Sequence, residues 1–297
     1  MSEITFAIPF YRDVGYLERA MRSVVNQTID DWIMIVVDDG GPDGVGAVEA
    51  VAQLADERIR YTRFDDNVGL AGNWNRCLDL ATTPFVTLLH ADDELLPGYG
   101  AAMLAAHRRH DRAAAVSCEV DIIDEQGRPA RSAPDAFKRL LAPRRADDRV
   151  LSGDDGLASI MRGNHIFCPT MCLRRETIGA LRFDARWRFV LDLALIADLL
   201  SAGHELVAIP TVAYRYRRHH QSQTALLTAT AERFAEEATI HRLLSQRASE
   251  LGWSRSQRMA ALMPSVRLHA AYRAAGSLAR GRLTDARRTL GAVSVRH

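Results

Sequence analysis

The sequence predicts a doubly wound α/β fold, and three observations carry that expectation. Apolar, β-prone runs alternate with amphipathic helical stretches over roughly the first hundred residues. Three of those runs end abruptly in polar clusters: Tyr11-Arg12, Asp38-Asp39 and Asp92-Asp93. From about Ala231 onward the pattern is helical throughout and rich in arginine. Open α/β sheets bind ligands outside the carboxyl ends of their strands, so three polar clusters at one edge count for more than any single motif.

The elements follow in order. "ITFAIPF" (Ile4 to Phe10) is a short β-prone run ended by Pro9. In "GYLERAMRSVVNQT", Leu17, Met21, Val24 and Val25 recur at helical spacing. "WIMIVVDDGGPDG" is a continuous apolar run breaking into acids and glycines, the signature of a strand buried on both faces in a parallel sheet. "GAVEAVAQLAD" is helical, "RIRYTRF" alternates like a strand, "AGNWNRCLDLATT" is helical and "PFVTLLH" is a strand. "LPGYGAAMLAAHRRHD" predicts a helix, whose His107 and His110 read as surface residues, and "AAAVSCEVDIID" predicts a strand.

"EQGRPARSAPDAFKRLLAPRRADDRV" has no clear period and reads as a surface loop or lid, partly helical around Ala136 to Leu141. "HIFCPTMCLRR" predicts a strand, in which Cys168 and Cys172 would share a face as small buried thiols. "FVLDLALIADLLSAG" is a helix with Gly203 as its stop signal, and "HELVAIPTVAYRYRRHHQSQT" a strand followed by a polar segment.

At 297 residues, 47% hydrophobic and 25% charged, the chain matches a soluble globular protein of one large domain or two ordinary ones. A net charge of +1 gives no overall bias toward nucleic acid, and no such partner is expected. The opening "MSEITFAIPF" lacks the regions of a signal peptide, and no apolar run approaches the roughly 18 residues of a membrane span. The expected location is the cytoplasm. The tail adds a second option, because after Glu250 the only acid is Asp285. A basic amphipathic helix can lie on an anionic surface, which would place the protein peripherally at the inner membrane face; a solvated helical face packed on the core is the competing reading.

The polar clusters carry the chemistry. A carboxylate of Asp38 or Asp39 can accept from a nucleobase N–H or a ribose hydroxyl, and a Gly-rich turn lets backbone approach a ligand. A solvated turn is equally open from these residues alone. A dinucleotide fingerprint is excluded, since "GGPDGVG" has the wrong spacing and follows the second strand. In "TLLHADDELLP", Asp92 and Asp93 offer oxygen ligands for Mg2+ or Mn2+, cations usually held by one or two protein carboxylates plus substrate phosphates. His90 could be a further ligand or could hydrogen-bond an acid.

Residues 4 to about 224 resemble the family-two glycosyltransferases, which have the GT-A fold. The ordered motifs are "IPFYR", "VNQT", "IVVDDGGPDG", "NVGLAGNWNRCLDLAT" and "VTLLHADDELLP", continuing through "TMCLRRETIGALRFD", "FVLDLALIADLLSAG" and "VAYRYRRHHQSQT". The resemblance implies a GT-A-like, mixed but mostly parallel sheet flanked by helices, with a C-terminal helical extension. It divides the chain into a nucleotide-sugar-binding half at 1–100, an acceptor-binding half at 101–228 and the extension at 229–297.

It also implies roles. Pro9 and Tyr11 match the segment lining the nucleobase pocket, Asp38 and Asp39 the acids contacting base and ribose, and Asn67 and Gly69 the loop beside the nucleotide. Asn75 matches the family's helix asparagine, with packing or capping as the alternative. Asp92 matches the last acid of the metal-binding D-x-D, with Asp93 as its neighbour, and His90 stands where the family has the first acid. Imidazole binds Mn2+ but suits Mg2+ poorly, so either His90 is a ligand or Asp92 alone anchors the metal.

Asp192 matches the base that takes the acceptor's proton, with Leu191 where the family often has a second acid. A helix N-terminus would keep its carboxylate ionised. Asp184 and Asp198 are the competing candidates. Trp187 would stack on an acceptor sugar or pack in the core. His219, with Ser222 and Thr224, fits a histidine segment that supplies a metal or diphosphate ligand; His220 and Arg217 add further candidates beside the diphosphate.

The expected activity is therefore inverting transfer of a hexosyl or deoxyhexosyl group from a nucleotide-diphosphate sugar. The acceptor would be a saccharide, a lipid-linked saccharide or a small molecule, and the cofactor a divalent cation, Mn2+ or Mg2+. A sugar-phosphate nucleotidyltransferase would bring a basic, Gly-rich loop after the first strand, where "IPFYRDVGYL" has only Arg12 and Gly15. A non-catalytic sugar-nucleotide binder is the third reading.

Overall fold

A computed structural model describes residues 2–130, 146–219 and 232–294. The expected helix at Ala136 to Leu141 lies outside these residues, as do His220, Ser222 and Thr224. The chain divides into two compact units: Met1–Val150 with Ile166–Phe183 and His204–Arg218, and Leu151–His165 with Asp184–Gly203 and His219–His297.

The first unit is built on one mixed sheet. Its strands are β1 (Ile4–Phe10), β2 (Trp32–Asp38), β3 (Ile59–Arg63), β4 (Phe85–Leu88), β5 (Glu94–Leu95), β6 (Ala113–Ile123), β7 (Arg149–Leu151), β8 (Cys172–Arg174) and β9 (Glu205–Arg217). The spatial order is β3-β2-β1-β4-β8-β6-β9-β5, with β7 pairing β9. β1 pairs parallel with both β2 and β4, and β2 with β3, which is the doubly wound half. β8 enters antiparallel between β4 and β6, while β6 and β9 run parallel.

Helices α1 (Val14–Val25), α2 (Gly44–Leu54), α3 (Gly69–Leu80) and α4 (Tyr99–Arg109) flank this sheet. α1 buries Leu17, Ala20, Met21 and Val24, an i, i+3, i+4, i+7 stripe against β1 and β2. Pro9 lies inside β1 rather than ending it. Ala7, of the same parity, accepts from Leu89 on the β4 side, and β4 ends at Leu88. The N–H that Pro9 lacks therefore points where no ladder partner is needed.

Two further expectations need correction. His107 is not on the surface: it follows Met103 by four residues on the inner face of α4, stacks on Phe85 at 4.4 Å and bonds the Cys172 carbonyl at 3.0 Å. Burial lowers its pKa to about 4, so it stays neutral. "HIFCPTMCLRR" is not one strand either. Pro169 suits the first turn of a 3-10 helix at Cys168–Thr170, and only Cys172–Arg174 is strand. Cys77, Cys118 and Cys172 are buried and Cys168 is partly so.

The second unit is helical: α5 (Gly153–Arg162), α7 (Leu191–Ser201), α8 (Glu232–Glu250), α9 (Ser254–Leu262), α10 (Pro264–Leu278) and α11 (Leu283–Val293). The one-turn α6 (Arg175–Ile178) belongs to the first unit. Gly203, at φ 85°, ends α7 as expected. Phe234, Ala238, Met263, Val266, Ala270 and Val293 form the core of α8, α10 and α11. The carboxylate of Asp154 accepts from the backbone N–H groups of Arg255 and Ser256, satisfying the first turn of α9 from outside.

Candidate active site

Parallel pairing brings the carboxyl ends of β1, β2 and β3 to one edge: Phe10 lies beside Asp38, and Asp38 beside Arg63. Asp38 is fully buried. It accepts from the Gly41 N–H at 2.9 Å, the Tyr61 hydroxyl at 2.6 Å and the Arg63 guanidinium. Asp39 accepts from the N–H groups of Val68 and Gly69, both at 3.0 Å, and from Arg76 at 2.7 Å. Its charge thus meets the exposed N–H groups at the start of α3.

Both acids are therefore engaged with the protein and hold two turns, 40–43 and 65–68. The glycines serve the same packing. A Cβ on Gly41 would run into the Tyr11 carbonyl, and one on Gly44 into Arg63. Around these turns, Pro9 is half-buried and Tyr11 is 43% exposed. Asn67 is exposed and accepts from the Gly69 N–H at 2.8 Å. Gly69 has φ 75° and open space where a side chain would be, so this turn can present backbone to a ligand.

β4 delivers the acidic turn. Asp93 N–H donates to the His90 carbonyl at 3.1 Å, closing a four-residue turn that gathers three side chains. Ligand atoms of His90, Asp92 and Asp93 all lie within 4.8 Å of one another. Asp93 is buried and accepts from the Tyr214 hydroxyl at 2.9 Å and the Arg217 N–H at 2.7 Å. Burial, and then the neighbouring Asp92 charge, lift its pKa well above the usual carboxylate range. Burial also holds the His90 imidazole below its ordinary value, against the pull of Asp92.

Arg217 is what stabilises this turn. Its side chain is fully buried, donates to the Asp92 carbonyl at 2.7 Å and the Asp124 carbonyl at 2.9 Å, and pairs with Glu94. It also lies over the Tyr16 ring at 5.1 Å. Arg215, two residues earlier on the same strand face, reaches Glu94 at 3.4 Å.

Several site neighbours escape the sequence reading. Trp74 packs on His90 at 5.1 Å and meets Phe183 edge-on at 4.8 Å. Its Nε1 and the His90 Nε2 are buried with no partner among the described residues. Tyr61, Arg63, Arg76 and Tyr214 complete the acids' hydrogen bonds; alternation within "RIRYTRF" and "VAYRYRR" marks which residues share a face, but not which acid each meets. Asn75 serves packing: its side chain donates to and accepts from the Phe183 backbone, at 2.9 and 2.8 Å.

The helical unit holds the other candidates. Asp192 lies in the first turn of α7, half-buried, with one oxygen accepting from Asn164 at 3.1 Å. Burial raises its pKa to about 6. The N–H groups of Leu193 and Asp192, Asn164 and Arg233 pull it down, so the expected helix-terminus effect is present but outweighed. Asp184 and Asp198 are each ion-paired, to Arg186 at 2.6 Å and to Arg247. Trp187 is half-buried with the Arg186 guanidinium 5.9 Å from its ring. His219 belongs to this unit.

The family model "Glycosyl transferase family 2" matches residues 5–179. TuaG of Bacillus subtilis (strain 168) is 32% identical over 215 residues, covering 72% of this chain and 78% of that one. The GalNAc(5)-diNAcBac-PP-undecaprenol beta-1,3-glucosyltransferase of Campylobacter jejuni is 37% identical over 99 residues, 33% of this chain and 32% of that one. The chain spans about a third of the length of the first curated relatives it matches. Among solved structures, the mannosyltransferase PcManGT from Pyrobaculum calidifontis, in complex with GDP-Man and Mn2+, shares the fold. Its TM-score is 0.63 at 16% identity, covering 98% of this chain and 85% of that one. The ordered acids at the sheet edge, the acidic turn and the match over residues 5–179 establish that this chain belongs to glycosyltransferase family 2.

Proposed function

We propose that the chain transfers a sugar from a nucleotide-diphosphate sugar to an acceptor hydroxyl, by a single displacement that inverts the anomeric carbon. The observation that carries this reading is the gathering of His90, Asp92 and Asp93 within 4.8 Å, on the turn that follows β4 in the same parallel sheet as Asp38 and Asp39. The nucleoside lies over Pro9, Tyr11, Asn67 and Gly69, and Asp38 and Asp39 keep the flanking turns in place.

One imidazole and two carboxylates are a donor set that fits a divalent cation. Asp92 and His90 are its foremost ligands and Asp93, already bonded to Tyr214 and Arg217, supports the turn. An imidazole in the set favours Mn2+ over Mg2+. Bound there, the cation would offset charge on the departing diphosphate.

The remaining chemistry belongs to side chains. Asp192 takes the proton from the acceptor hydroxyl as its oxygen attacks the anomeric carbon. A carboxylate with a pKa near 6 is ionised at neutral pH yet basic enough to share a proton in the transition state. Among the three acids considered for this role, Asp192 has no arginine in ion-pair contact among the described residues, whereas Asp184 and Asp198 do. Trp187 offers a ring face to an acceptor saccharide.

The test is a panel of nucleotide-diphosphate sugars screened for thermal stabilisation with Mn2+, followed by transfer assays with the stabilising donor. A donor that stabilises and turns over only with Asp192 intact supports the reading. Full transfer by Asp192→Asn removes the base assignment, and donors that bind without turnover with any acceptor favour a sugar-nucleotide binder.

A further inference from the structure

The C-terminal helices carry a surface that the transferase chemistry does not use. Residues 251–297 hold nine arginines, no lysine and one acid, Asp285. That segment is therefore +8 in a chain whose total is +1, which leaves residues 1–250 at −7. Arg255 is tied to Asp155. The seven arginines from Arg258 to Arg288 have no carboxylate in ion-pair contact among the described residues.

α10 then shows two apolar faces. Val266, Ala270 and Ala274 form the buried one, at i, i+4 and i+8. On the opposite side Leu268, Tyr272, Ala275 and the capping Ala279 follow at i, i+4, i+7 and i+11, so they stack along one outward stripe. Leu268 is 71% exposed and Tyr272 69%, and Leu283 at the start of α11 is 60% exposed. The helical periodicity sets Arg267 and Arg273 to the two sides of this stripe, and α10 contains no acid. A solvated helix would carry its charges on the outward face. Here the outward face is apolar and the charges flank it.

We propose that α10, with the start of α11, docks on an anionic lipid surface. Leu268 and Tyr272 enter the headgroup boundary, where amphipathic aromatic rings are favoured, and Arg267, Arg273 and their neighbours face lipid phosphates. The mode is surface attachment, since among the described residues no helix is long and apolar enough to cross a membrane. The charge is what selects the occupant: a +8 segment on a chain otherwise at −7 favours an anionic sheet over a second copy of its own cationic face. The proposal stands independently of the transferase reading.

The experiment is co-sedimentation of the full chain with vesicles of phosphatidylcholine alone or with roughly a third phosphatidylglycerol. The chain should pellet with the anionic vesicles only and be released as salt screens the surface. Arg267→Gln with Arg273→Gln should weaken partitioning by about fivefold per arginine. Leu268→Ser with Tyr272→Ser should weaken it at least tenfold without changing the melting temperature, because both side chains are exposed. Equal pelleting with neutral vesicles, or no pelleting with either, overturns the proposal. So does anionic-vesicle binding indifferent to the Leu268/Tyr272 pair, which would mean charge alone. A concentration-dependent dimer lost in Leu268→Ser, with no vesicle binding, would assign the face to a second copy instead.

Discussion

In the sheet unit, Arg63, Arg76 and Arg217 each end on a carboxylate that a turn depends on, whereas the seven arginines from Arg258 to Arg288 meet no carboxylate among the described residues. The residue type is the same and the surroundings differ. Arg217 is fully enclosed, with its guanidinium divided between Glu94 and the carbonyls of Asp92 and Asp124. Leu268 and Tyr272, along the C-terminal helices, are the opposite case, apolar groups held out in solvent among free charges. A buried, bonded arginine is part of the fold and shapes the acidic turn. An unpaired arginine on a rim contributes little to folding and is available to a partner.

Arg217→Met should break this contrast most severely. It leaves Glu94, among the described residues, with only the longer contact to Arg215 at 3.4 Å, strips the Asp92 and Asp124 carbonyls of their donor, and removing one partner of a buried pair costs about 3–5 kcal/mol. Urea unfolding should show that loss, together with loss of nucleotide-diphosphate binding. By contrast Arg273→Gln should stay within about 0.5 kcal/mol of the parent, as surface changes do. Similar losses for the two variants would contradict the distinction.

Asp192→Asn comes next. Loss of a general base should lower turnover by about a hundredfold to ten-thousandfold and leave donor affinity within error. Steady-state kinetics beside calorimetric donor binding separates the two effects.

A smaller effect concerns pH. A base must be ionised, so kcat/KM should be present above the Asp192 pKa of about 6 and fall as pH drops through it. The Asn164 amide donates to the ionised carboxylate and so favours it. Asn164→Ala should therefore move the acidic limb to higher pH; a limb that stays or moves down would assign it to another group.

His90→Asp should give the smallest change. It restores an all-oxygen donor set, so calorimetry should show Mg2+ gaining on Mn2+ relative to the parent. An unchanged ratio would mean that His90 does not touch the cation.

How much of this was legible before the structure varies by element. β1 to β4 and α1 to α3 followed from apolar runs and 3.6-residue periodicity, because each buries its own side chains locally. Asp192 at the start of α7, and the order of the acids, came from motif resemblance. α5 went unanticipated, although Asp154 and Asp155 in its first turn and Arg162 in its last are the usual charge signature. The insertion of β8 between β4 and β6 left no local trace, since antiparallel entry depends on pairing with residues far away in the chain. Arg217 was hardest to place. Strand alternation puts it on the face of Arg215, but what encloses it is Asp92, Glu94 and Asp124, far away in the chain. For Asp38 and Asp39, position at the edge was readable, and their bonding to Tyr61, Arg63 and Arg76 was not.

The central claim is that the acidic turn binds a nucleotide diphosphate through a cation, and calorimetry tests it most directly. The parent and Asp192→Asn should each bind the diphosphate of the stabilising donor with Mn2+ present and lose it in EDTA, while Asp92→Asn should fail to bind in either condition. Affinity that is equal with Mn2+ and with EDTA, or that survives in Asp92→Asn, would contradict the account.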